Sequence, residues 1–271
     1  YGQTAVMQAH SAGMHVFRME IAEALSEVMG DIVQHIYYKS ETTLPFKADL
    51  GPEKGFIKGG SPEYVALENG LKFHVDWLKG QKTGFFVDQR ENRHLLERYS
   101  KGRNVLNMFC YTGGFSFYAM RGGANLVHSV DSSAKAIDLT NQNVELNFPG
   151  DDRHQAFAED AFKYLDRMGD QYDLIILDPP AYGHGPDGEK WKLDECLNEM
   201  LQCVAAILAP QDSFMVLNLY SNGYSAVLGE TIVKQAFCLK NAYKSLDFGE
   251  LVLRDSYGKN LPLSVFVRLA R

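Results

Sequence analysis

Cysteine is scarce: four residues in 271 (Cys110, Cys196, Cys203, Cys238), with no CxxC or metal-type spacing. That argues against a disulfide framework and a thiolate metal centre, and fits reduced thiols. The histidines, His10, His15 and His184 among them, lack ligand spacing; they read as surface or loop residues, and no metal is expected. There is no run of roughly 18 uncharged apolar residues, the length a membrane span needs. The opening YGQTAVMQAHSAG has neither the basic start nor the apolar core of a secretory leader. A cytoplasmic protein that contacts no membrane is therefore expected. Positive charge is also lacking. The net charge of −7 argues against a protein that coats nucleic acid indiscriminately. No internal repeat or low-complexity segment is present.

What is there is an ordinary globular composition, 45% hydrophobic and 23% charged. Residues 1–103 are neutral, and residues 104–271 carry the whole negative excess. Within 72–103, eight basic residues stand against four acidic ones, a strip suited to an anionic polymer or an ordinary solvated surface. VFRMEIAEALSEVM (16–29) spaces Phe17, Ile21, Leu25 and Val28 as an amphipathic helix. From 35 to 80 short strands and turns follow, with a hairpin marked by the ENG at 68–70. DQRENRHLLERYS (88–100) reads as a helix opened by Asp88.

Beyond residue 103, strands and helices alternate: NVLNMF, LVHSVD, RHQAFAED, YDLIILD and SFMVLNLY each precede a helix. The chain closes on two strands joined near Gly258-Lys259-Asn260. Five βα units finished by a hairpin predict an α/β fold: a doubly wound, mostly parallel sheet with an antiparallel C-terminal hairpin. A small, mostly β module precedes it. We place the modules at 1–84 and 85–271. In such sheets ligands bind beyond the carboxyl ends of the strands.

Those ends carry the chemistry. The first strand runs through Asn107 and Phe109 into Tyr111-Thr112-Gly113-Gly114, where glycine permits close backbone approach and helix-start N–H groups face a ligand. The second ends at Asp131-Ser132, where this fold places an acceptor for ribose hydroxyls. The third ends at Asp160-Ala161, placed to accept from an adenine amino group, and the fourth at Asp178. Each aspartate taken alone fits a helix N-cap equally well. Together with the glycine turn they describe a nucleoside pocket. The turn TGGFSF lacks the third glycine of a dinucleotide fingerprint. S-adenosylmethionine (SAM) has no phosphate, needs acceptors, and matches the acidic lining better. Asp178, the rigid Pro179-Pro180 turn and Tyr182 then form the expected catalytic wall, with Tyr182 stacked on the acceptor ring or a half-buried loop aromatic.

GLKFHVDWLKGQKTGFFVDQRENR (70–93), NVLNMFCYTGGFSFYA (104–119), SVDSSAKAI (129–137) and DLIILDPPAYG (173–183) resemble the class I SAM-dependent methyltransferases of bacterial large-subunit ribosomal RNA. The likeness spans about residues 15–225. It implies a Rossmann-like catalytic domain preceded by a small α/β module, with ribosomal RNA as partner. It also implies that Gln89 and Arg90 lie near the cofactor, and that the 111–114 loop, Asp131, Asp160 and Asp178 line its site. Members commonly carry an amino-terminal RNA-binding PUA domain; there is no room for one here, so it is expected to be absent or trimmed. A homodimer is left open.

One departure matters. Members that make 5-methylcytosine carry a cysteine after the fifth strand, and this chain reads NLYSNGYS (218–225), with Tyr220 at that place. Phenol, with a reference pKa of about 10, is a poor substitute for a thiolate at about 8.5. Cys110 reads as packing. Methylation at a nitrogen, which needs alignment and no covalent intermediate, is therefore expected. Two other classes keep the same fold. A small-molecule or protein methyltransferase would bind RNA weakly, and a silent RNA-binding module would fail to bind SAM.

Overall fold

A computed structural model describes residues 1–45, 50–60, 65–169, 171–185, 188–220, 223–238 and 243–271. These fall into two units, Tyr1–Phe86 and Val87–Arg271.

In the first unit, β1 (Thr4–Met7) is followed by α1 (Ala12–Val16), α2 (Arg18–Met29), β2 (His35–Lys39) and β3 (Lys54–Lys58). The strands form one sheet in sequence order, β1 parallel and β3 antiparallel to β2. The helix expected at 16–29 is thus broken at Phe17, and its face differs from the one expected. Ala22 is buried with Leu25 and Met29 against Val33, Ile36 and Ile57, whereas Phe17 and Val28 are exposed. His15 is no surface residue: it is buried and its Nδ1 pairs with the Tyr38 hydroxyl at 2.7 Å. β4 (Val65–Glu68) and β5 (Leu71–His74) form a separate hairpin with Glu68 opposite Leu71. Asn69 and Gly70 take positive φ (50° and 83°), as a two-residue turn between right-twisted strands requires. The strand run expected to begin at Glu63 and Tyr64 starts outside the described residues.

The second unit opens with a single turn, Val87–Gln89, and α3 (Arg90–Tyr99). Asp88 therefore precedes the helix rather than capping it, and the cap residue Gln89 makes no side-chain cap bond. The alternation follows: β6 (Asn104–Met108), α4 (Gly114–Arg121), β7 (Leu126–Asp131), α5 (Ala134–Asn147), β8 (His154–Ala158), α6 (Ala161–Arg167) and β9 (Leu174–Leu177). Between β9 and the next helix lies an unexpected hairpin, β10 (Tyr182–His184) and β11 (Lys190–Lys192). Then come α7 (Leu193–Ile207), β12 (Phe214–Leu219), α8 (Ala226–Ala236), β13 (Ser245–Arg254) and β14 (Asn260–Ala270). The seven-stranded order is β13-β14-β12-β9-β6-β7-β8, with β14 antiparallel to both its neighbours and every other pair parallel. This is the doubly wound sheet expected. Buried on both faces, its strands read as continuous apolar runs such as Leu174–Leu177, each fully buried. The order reverses between β6 and β9, so their carboxyl ends flank the switch-point crevice.

Candidate functional site

The loop leaving β6 is forced into an unusual shape. Phe109, Tyr111 and Gly113 all take positive φ (57°, 48° and 79°), a conformation two of them adopt against the steric preference of L-residues. Protein neighbours already leave little room for a side chain at either glycine. A Cβ on Gly113 would meet Thr140 Cγ2 at 2.6 Å, and one on Gly114 would meet Arg93 Cδ at 3.1 Å. Thr112 is buried as well.

Asp131, at the end of β7, holds this loop. One carboxylate oxygen accepts the Tyr111 N–H at 2.8 Å and the other accepts the Ser133 N–H at 2.9 Å. Burial nevertheless pushes its pKa above the usual carboxylate value, because desolvation outweighs those two bonds. Each oxygen keeps a second lone-pair site, so the group can still accept two hydroxyls. Asp160 caps α6, accepting from the Phe162 and Lys163 N–H groups through Oδ1. Capping uses one oxygen only and leaves Oδ2 for a ligand. Ala161 is buried behind it. Ser132 donates to the His184 carbonyl at 3.4 Å, tying the β7 end to β10.

The turn into α3 and the first turn of α3 are rich in donors. Gln89 is 1% exposed; its Oε1 accepts from Asn92 at 2.8 Å, and its Nε2 has no hydrogen-bond partner among the described residues. Asn92 also donates to Asn218 Oδ1 at 3.0 Å and accepts from Arg268 at 3.0 Å. Arg90 does not join them. It is exposed and pairs with Glu91 at 2.9 Å, whereas Arg93 is buried across Gly114. Asn92, Arg93, Asn218 and Arg268 were missed in the sequence; the positions 89, 92, 93 and 96 share one helix face, and that spacing was available. Arg93 also leaves the basic strip of 72–103, as does Arg103, which donates to the Asp212 and Asp173 carbonyls. Asn107 lies beneath the loop, fully buried, donating to Ser116 at 2.9 Å, and does not reach the crevice surface.

At the end of β9, Asp178 is half-buried and Pro179 buried. The Pro180 carbonyl, in the turn expected to form the catalytic wall, accepts the Trp191 Nε1–H at 2.6 Å. Tyr182 is 73% exposed. Beyond β12, the Tyr220 hydroxyl approaches Ser264, yet neither forms a well-shaped hydrogen bond among the described residues. Burial, with Asp178 and Asp88 nearby, holds this phenol in its protonated form far above its ordinary range. Tyr220 lines a cleft of about 230 Å³ with Tyr224, Glu250, Pro262, Ser264 and Val265. Ser221 and Asn222 of the same segment lie outside the described residues. Cys110 is buried beside Asp131, and both effects push its thiol pKa up, so it is no nucleophile. Among the described residues no group of His, Cys, Asp and Glu could hold a metal ion, and no helix is long and apolar enough to cross a membrane.

The family described as S-adenosylmethionine-dependent methyltransferase matches residues 55–242. Two curated relatives named ribosomal RNA large subunit methyltransferase I are similar. The one from Alteromonas mediterranea is 40% identical over 186 residues, 67% of this chain and 46% of its own length. The one from Aeromonas hydrophila is 41% identical over 188 residues, 67% and 47%. The chain thus spans about half the length of the curated relatives it matches. Among solved structures, a SAM-dependent methyltransferase from Agrobacterium tumefaciens superposes with a TM-score of 0.76 at 28% identity, covering 90% of this chain and 79% of the other.

Proposed function

For a chain that belongs to the S-adenosylmethionine-dependent methyltransferase family, we propose that the reaction is methylation of a base nitrogen in large-subunit ribosomal RNA. The cofactor supplies a sulfonium methyl group. The residues at the strand ends suit this cofactor: Asp131 would accept the ribose hydroxyls and Asp160 Oδ2 the adenine amine, with Ser132, Ala161 and Phe109 beside them. The orphaned Gln89 Nε2 and the Arg93 guanidinium beside Gly114 would hold the carboxylate of its amino-acid part.

The acceptor base enters the cleft beside Tyr220 and Tyr224. Asp178, with the stiff Pro179-Pro180 turn, aligns it, accepts an N–H and takes the proton released as the carbon–nitrogen bond forms. The observation that carries this reading is the residue at 220: a half-buried tyrosine lining the cleft stands where the family resemblance puts the pyrimidine-attacking cysteine. The curated relatives' name supports ribosomal RNA as the substrate, and a cytoplasmic location goes with that reading. Every residue named comes from one unit of one chain, so the reading holds for monomer or dimer. Incubation with 5-fluorocytidine RNA and cofactor tests it. No covalent protein–RNA species should survive a denaturing gel, and a cofactor-dependent adduct would sink the nitrogen assignment.

A further inference from the structure

We propose, resting on that RNA reading, that the outer face of the β10–β11 hairpin is a contact surface for single-stranded RNA next to the methylated nucleotide. The register pairs Tyr182 with Lys192, Gly183 with Trp191 and His184 with Lys190. Because side chains alternate between faces, Tyr182, His184, Lys190 and Lys192 share one side, and all four are exposed. The other side anchors the ribbon. Trp191 packs on Phe109 and Phe162 (ring centroids 4.9 and 6.1 Å) and donates to the Pro180 carbonyl. Ser132 bonds the His184 carbonyl, and Lys163 pairs with Glu189. The hairpin is therefore tied to the β6, β7 and β9 ends that build the cofactor crevice.

A tyrosine 73% exposed on an anchored ribbon contributes nothing to the core. Paired across the ribbon with Lys192 and diagonal to Lys190, its ring offers a stacking platform while the ammonium groups meet phosphates, the combination single-stranded nucleic acid requires. Lys192 pairs with Glu195 at 2.7 Å, with both side chains about half exposed or more. Exchanging that partner for a phosphate costs little at such exposure. A duplex, whose bases already stack on one another, gives Tyr182 nothing to hold, so single strands are preferred.

The test is fluorescence anisotropy with a labelled single-stranded RNA of about 12 nucleotides, a span covering one such site, across a salt series. In Lys190→Ala/Lys192→Ala the slope of log affinity against log salt falls by about 1.4, and affinity at 0.1 M salt drops roughly 25-fold, as loss of two phosphate contacts dictates. Tyr182→Ala loses roughly 5-fold or more with the slope unchanged. Glu195→Gln binds more tightly, since a competing carboxylate is gone. Melting and cofactor calorimetry on the double lysine variant verify its fold. If wild type binds and the lysine variant matches it in slope and affinity, the ribbon assignment falls alone. If wild type binds no RNA, the RNA reading falls with it.

Discussion

Replacing Asp131 by asparagine keeps the side-chain volume and removes the charge. The carboxylate now receives the Tyr111 and Ser133 N–H groups, one on each oxygen. In the amide one of those donors faces an NH₂ group, which costs about 1–3 kcal/mol. Relief of a buried charge offsets part of this, since burial already disfavours the ionised form. Net stability should therefore change by only about 1 kcal/mol. Cofactor binding loses more. A hydrogen bond to a charged acceptor contributes about 1.5–3 kcal/mol, so affinity should weaken roughly 10- to 150-fold. Titration calorimetry with the demethylated cofactor reads this directly, and unchanged affinity would refute the ribose assignment. The pH dependence follows by linkage. Hydroxyl donors favour the ionised carboxylate, so binding lowers its pKa, and affinity is full above the raised free-state value and lost as pH falls through it. The asparagine variant should lack that acid limb. In the unliganded protein the sign is opposite: this group alone makes the fold less stable as pH rises through its raised pKa.

Arg93→Ala should weaken cofactor binding at least 10-fold, whereas Arg90→Ala, exposed beside Glu91, should change it less than 2-fold; parallel calorimetry of both variants separates buried from solvated arginine. Gly113→Ala should destabilise the second unit by about 1–3 kcal/mol, read as a lower urea midpoint, because its φ of 79° and the nearby Thr140 leave no room for a methyl group. Tyr220→Phe should retain turnover within a few-fold, since its hydroxyl makes no well-formed bond and carries no nucleophilic role; a drop beyond 100-fold in initial rate would assign the hydroxyl to catalysis.

The parallel sheet was legible because each buried strand is a short apolar run bounded by turn residues, and each helix repeats at 3.6 residues. The aspartates were legible because they end those runs. What was missed is of three kinds. The β10–β11 hairpin is only three residues a side, too short for periodicity, although Gly185-Pro186-Asp187-Gly188 between YGH and KWK is a turn signal that could have announced it. The Gln89–Asn92–Asn218–Arg268 network joins residues far apart in sequence, and its partners exist only once β12 and β14 are paired. The helix face at Phe17 and Val28 failed for a third reason. Two equally spaced apolar stripes run along 16–29, and only the packed sheet selects the one with Ala22.

The most direct measurement is mass spectrometry of nucleosides from large-subunit ribosomal RNA, taken from cells lacking the gene and incubated with the protein and methyl-deuterated SAM. The account predicts the heavy methyl group on the nitrogen of one base species, and its loss with Asp178→Ala. Label confined to 5-methylcytidine, or no label in RNA at all, would contradict it.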